Sequence, residues 1–377
     1  MFDIDLLISK NPPKRSRNFK IVGGKYVYTL NKSQFNLSEI KKFISFVQLC
    51  PVNIPIFINL SGVSIRDKLC YVLLECIFEY MIVKCGKKVT FQYVVEPEIG
   101  IEGISSSPLN ILRKQFNGDV KSEYIQKFNR DIFKNHYRKM ITVEENADGI
   151  AVSKMMQEIE VFLKAFSVQK EYISDVTEVL SELVDNGLEH SNSDCLIDID
   201  VTDEYVKRGD DTNSYYGINI TILSISDVLI GDKVQLFFQC IEKNKWYEKL
   251  HLAHNTHSQF WDDKYRENDF FMMSAFQHRI SGRDMNYTTG GTGLTTLISA
   301  LESKSDAYNC YVVSGDRILC FHHDLLKLDS EGWVGFNQDN DFLNKPPDGE
   351  CILSSPIYFP GVAYNLNFVM RKENENE

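Results

Sequence analysis

The chain has 377 residues, 41 basic and 52 acidic side chains, and a formal charge of −11. That length makes room for two domains with separate cores, and 43% hydrophobic with 25% charged residues excludes a mostly disordered or fibrous chain. The acidic balance excludes a general electrostatic pull toward nucleic acid or anionic lipid, so nucleic acid is not an expected partner.

Residues 1–17 carry basic side chains with no apolar run behind them, which does not read as a secretory signal. The most apolar stretch, 70–85, contains Glu75 and Glu79 and is shorter than the ~20 residues a bilayer span needs, so no membrane segment is expected. Nine cysteines, none in a Cys-x-x-Cys pair, read as reduced thiols and point to a cytoplasmic chain.

In chain order, residues 25–30 (KYVYTL) alternate like a strand and 37–49 repeat apolar residues at helical spacing. Residues 54–60 (IPIFINL) read as a strand, 66–84 as an amphipathic helix and 88–95 as a further strand. This β-α-β-α-β order predicts a small α/β domain over 1–108, closed by a Gly-, Ser- and Pro-rich loop at 96–108. Residues 109–149, of mixed charge, read as a connector. Helices are then expected at 152–166 and 172–190, and strands at 195–201 and 216–225. An aromatic-rich helical insertion covers 233–287, a helix starts near Gly293, and strands follow at 307–314, 317–323 and 362–370. The charged tail 372–377 is expected to be disordered.

Three features of the second half occur together and in order. Glu182 and Asn186 are four apart near the end of an apolar helix, so they share one helical face. A carboxylate beside a carboxamide can orient water and ligate Mg²⁺, which takes oxygen ligands. The strand ILSIS ends in Asp227, with Gly231 four residues on. An aspartate there can accept from an exocyclic amine, and a glycine lets a flat ring approach the backbone. Finally, Gly290, Gly291, Thr292, Gly293 and Leu294 run into a helix, whose free N–H groups can cradle phosphate. Each has a plain structural alternative: a solvated helix face, a strand followed by a turn, and a glycine-rich turn.

Together these residues resemble the ATP-binding fold of the GHKL superfamily, which includes gyrase, histidine kinases, mismatch-repair ATPases and anti-sigma-factor kinases. Glu182-x-x-x-Asn186 is similar to its N box, Asp227 to Gly231 to its first glycine box, and Gly290 to Leu294 to its second. Phe359-Pro360-Gly361-Val362 is similar to the ending of a bacterial subset. The resemblance implies an α/β fold with a two-layer sandwich of the Bergerat type over 150–371. It implies ATP and Mg²⁺ as cofactors, with Asn186 ligating the metal and Glu182 as general base. Asp227 would bind the adenine amine, Gly231 would line its pocket, and Gly290 to Leu294 would hold phosphate under a moving lid. The first glycine box departs from the family pattern, with Leu229 where a glycine is usual.

The first domain resembles a STAS-like module through its element order and the segment Ile58 to Val63, which implies a docking platform for a protein partner and makes Ser61 and Ser64 candidate phosphorylation sites. The expected activity is a slow, Mg²⁺-dependent ATPase whose lid controls that partner. An anti-sigma-type serine kinase and a non-catalytic nucleotide-binding protein are alternatives, and a homodimer is compatible with all three. His251, His254 and His257 do not share one helical face, so a surface or lid-packing role is favoured over a metal site. Arg279 and Arg283 are the basic residues of the insertion nearest the glycine loop.

Overall fold

The computed structural model describes residues 2–15, 19–30, 34–92, 98–99, 107–112, 119–166, 168–207, 210, 212–240, 245–280, 293–305 and 310–372. The first hundred residues form α1 (Ile4–Ser9), β1 (Lys20–Val22), β2 (Lys25–Thr29), β3 (Gln34–Phe35), α2 (Leu37–Gln48), β4 (Ile56–Asn59), β5 (Ser64–Ile65), α3 (Lys68–Glu79), β6 (Val89–Gln92) and β7 (Glu98–Ile99). One sheet has the order β1-β2-β4-β6, with β2, β4 and β6 parallel, and β3-β5-β7 form a second small sheet. The β-α-β-α-β order expected from periodicity is therefore present. Side chains start both long helices: Asn36 accepts from the N–H groups of Ser38 and Glu39 at α2, and Asp67 accepts from that of Cys70 at α3.

The second half forms α4 (Val120–Asn129), β8 (Arg130–Phe133), β9 (His136–Ile141), α5 (Ile150–Lys164), α6 (Lys170–Asp185), β10 (Cys195–Tyr205), β11 (Tyr215–Ser224), α7 (Asp232–Cys240), α8 (Lys245–His257), α9 (Glu267–Ser274), α10 (Gly293–Lys304), β12 (Tyr311–Cys320) and β13 (Ile352–Arg371). Six strands make an antiparallel sheet in the order β12-β13-β11-β10-β9-β8. This corrects three sequence expectations. Residues 130–141, read as connector, supply two strands of the large sheet. The two strands expected on either side of Gly315 are one strand, β12, with a register shift at that glycine. The last strand begins at Ile352, ten residues before the expected start.

The alternation of each strand divides the sheet into two faces. Ile197 and Ile199 of β10, Ile218, Ile220 and Ile222 of β11, and Tyr364, Leu366 and Phe368 of β13 pack with α5, α6 and α10. The opposite face presents Leu196, Leu223, Val313 and Ala363 to the N-terminal helices. The layers run small mixed sheet, helices α2 and α3, large antiparallel sheet, and helices α5, α6 and α10. Helix α3 lies in the second layer and is buried from Lys68 to Phe78, which explains why it is apolar nearly all round. Among the described residues no helix is long and apolar enough to cross a membrane. All nine cysteines are free.

Candidate functional site

Helices α6 and α10 pack side by side, and Lys304 at the end of α10 pairs with Asp175 near the start of α6 at 2.6 Å. The two helices are therefore antiparallel, and the start of α10 lies beside the end of α6, where Asn186 opens a single π-helical turn, Asn186–His190. Such turns recur at functional sites because they re-aim side chains at one point of a helix. Glu182 and Asn186 are half-buried, and neither side chain has a hydrogen-bond partner among the described residues. Next to them, Gly187 is packed so tightly that an added Cβ would overlap Cys195 Sγ and lie 3.1 Å from Ser224 Cβ. Ser224 is the last residue of β11, three before Asp227, so the end of α6 is seated on the end of β11.

The start of α10 completes this end of the sheet. Gly293 is its first residue, and the Thr295 hydroxyl in its first turn is buried without a partner. Gly290, Gly291 and Thr292, like Arg283, lie outside the described residues. The loop after β11 is pinned from below: the Ile230 N–H donates to Ser314 Oγ at 3.0 Å, and that hydroxyl donates to the Gly361 carbonyl at 2.6 Å. Gly361, in the Phe-Pro-Gly segment, has φ +95° and lies where a Cβ would collide with the Ser224 carbonyl. That glycine permits β13 to run against the end of β11.

Asp227 is exposed and pairs with Lys10, just beyond α1, at 3.0 Å; this contact raises the Lys10 pKa. Gly231 has φ +91°, and a Cβ there would lie 2.7 Å from the α9 backbone at Phe271 and Met272. The insertion helix therefore crosses directly over the first glycine segment. Leu229 turns toward β12, where its Cδ1 would lie 3.0 Å from a Cβ built on Gly315, so the small residue on β12 makes room for the large one on the loop. A cavity of about 50 Å³ lies among Leu229, Gly231, Phe271, Met272, Ser314 and Arg317, space for water and far short of a nucleotide. Beside it Arg317 donates two hydrogen bonds of 2.6 Å to the fully buried Asp269, fixing the insertion to β12.

The three insertion histidines do different things. The His251 ring lies against Phe238 at 3.9 Å between centroids, and His254 faces Glu267 at 2.8 Å. His257 is buried, with its ring nitrogens on the Tyr265 hydroxyl and the Phe342 carbonyl. The three therefore serve a ring contact, a carboxylate contact and a buried hydrogen-bonded position within the insertion. Ser61 forms a local turn, its hydroxyl donating to Asn59 Oδ1 at 2.6 Å.

A second polar cluster lies between the N-terminal helices and the large sheet, and the sequence reading did not single it out. Lys68 and Glu75 descend from α3, while His136 and Arg138 of β9 and Asp198 and Asp200 of β10 rise from the sheet, all of them buried. Lys68 pairs with both Asp198 and Asp200, and Arg138 bridges Asp198 and Glu75. His136 lies 3.0 Å from Asp131 and 3.1 Å from Asp198. Burial alone would lower the His136 pKa, but the Asp198 charge and hydrogen bonds to Asp131 and Asp198 outweigh it and push it to about 9. Burial lifts Asp200 to about 6 against the pull of Lys68. Burial opposes ionisation of Asp198 too, yet Arg138, Lys68 and His136 hold it well below the usual carboxylate range. His136, Asp198 and Asp200 are near enough together to hold a metal ion. Their carboxylates already neutralise an ammonium and a guanidinium, so the cluster works as an ion-pair layer.

No family model, curated protein or solved structure matches this chain.

Proposed function

We propose that the chain binds ATP with Mg²⁺ at the α6, β11 and α10 end of the large sheet, as a GHKL-type protein, and hydrolyses it slowly to regulate a protein partner. The observation that carries the reading is the antiparallel packing of α6 and α10 with Gly187 seated on β11. It gathers Glu182 and Asn186, the loop from Asp227 to Gly231 and the first turn of α10 at one end of the sheet. Among the described residues Glu182 and Asn186 have no side-chain partner and the Thr295 hydroxyl is buried without one, groups that a polar ligand would satisfy. The start of α10 suits phosphate, because the dipole of a helix favours negative charge at its N-terminus.

In this reading Asn186 offers its carboxamide oxygen to the metal and Glu182 orients water or accepts its proton. Bound Mg²⁺ would neutralise phosphate charge. Asp227 accepts from the purine amine. The outward face of the small sheet, with Lys25, Thr29, Thr90 and Gln92 exposed, is left for the partner, because the helical layer beneath it is covered by the large sheet.

Calorimetric titration with ATP and Mg²⁺ tests the proposal. Saturable binding by the wild type is expected, weakened about tenfold or more in Asn186→Ala through loss of a charge-assisted contact. Glu182→Ala should bind yet release no phosphate. Absence of binding by the wild type, or equal binding by Asn186→Ala, would remove the reading.

A further inference from the structure

Asn11 holds the end of α1 on β13: its Nδ2 donates to the Tyr358 carbonyl at 2.7 Å and its Oδ1 accepts from the Tyr358 N–H at 2.8 Å. Ile4, Leu7 and Ile8 are buried, and Gln48 of α2 donates to the Ile8 carbonyl at 2.6 Å. Lys10 thus projects from a backbone fixed on both sides, and its ammonium meets Asp227.

The side of the sheet matters. On β11, Ile218, Ile220 and Ile222 face the helices that include α6 and α10, whereas Leu223 and Ile225 face the N-terminal module. Asp227 lies two residues beyond Ile225, in the bend after the strand, and its cation Lys10 comes from the module side. A purine whose phosphates reach α10 lies on the first side. On the nucleotide reading the one carboxylate has two claimants, an ammonium and a purine amine.

We propose that Lys10 and the nucleotide base compete for Asp227, so that α1 restrains the site when it is empty and is loosened when it fills; this rests on the nucleotide reading above. Occupancy of the site is then reported to the N-terminal module through α1, whose Ile8 carbonyl is held by Gln48 of α2. The coupling is small, since an exposed ion pair contributes at most a few-fold in equilibrium. It is also reciprocal: whatever displaces α1 tightens nucleotide binding by the same factor.

Calorimetry with ATP and Mg²⁺ on the full chain, comparing wild type with Lys10→Met, Lys10→Gln and Lys10→Arg, tests the competition. Lys10→Met and Lys10→Gln should bind about two- to five-fold tighter, and Lys10→Arg should match the wild type. Hydrogen exchange of the amides from Ile4 to Lys10 should quicken when the wild type is saturated. Binding that is indifferent to Lys10, or α1 protection unchanged at saturation, overturns the competition and leaves the nucleotide reading standing. Absence of binding in the wild type and all three variants overturns both.

Discussion

Gly187 shows how a single residue is fixed by neighbours that are distant in sequence. Its missing side chain lets the end of α6 rest on Cys195 and Ser224, and Gly361 does the same for β13 against the Ser224 carbonyl. Gly187→Ala forces a methyl into Cys195 and is expected to cost about 1–3 kcal/mol as overpacking, measured by urea denaturation. The polar residues of this end, Glu182, Asn186 and Asp227, were legible from spacing and from their positions near the ends of a helix and a strand. The reason for Gly187 was not, because the atoms that exclude a Cβ come from β10 and β11. Leu229 carries the same lesson. As sequence it is a bulky residue replacing a glycine, and its room on Gly315 becomes evident only when the loop lies across β12.

Among the elements, α3, expected to be amphipathic, is apolar nearly all round because it is covered on both sides, whereas β2 and α2 followed their hydrophobic periods because each has one face on an apolar neighbour. Strand β9 did not, and the cause is physical. Its module-facing positions are His136 and Arg138, which answer Asp198 and Asp200 on β10, so a buried face reads as charged and the period of two vanishes. Helix α3 hides the other half of the pairing, since Lys68 and Glu75 sit in an otherwise apolar string. Lys68→Met would leave Asp198 and Asp200 buried side by side with one cation fewer. Removing one partner from such a network is expected to cost about 3–5 kcal/mol, read as a lowered midpoint in urea or heat. A loss under about 1 kcal/mol would mean that the layer is solvated.

At the scale of the whole molecule, the ionic layer makes stability depend on pH in a definite direction. The His136 pKa is raised in the fold from its ordinary 6.5 to about 9, so its contribution is complete below pH 6.5 and is lost as pH rises through 9. The raised Asp200 acts through the same rule at lower pH: its favoured protonated form is spent by about pH 6, leaving the interval above to His136. Thermal denaturation should therefore show stability falling between pH 7 and 9.5 by up to about 3 kcal/mol, and His136→Gln should flatten that slope. The order of the large sheet bears on how the chain is made. Strand β13 sits between β11 and β12, yet it leaves the ribosome after every other strand of the sheet. Until then β11 has an open edge, although β9 and β10, which carry the partners of Lys68 and Glu75, are already made. The large sheet therefore closes only when translation has run almost to residue 371, and until then the open edge of β11 is a place where a wrong strand can pair.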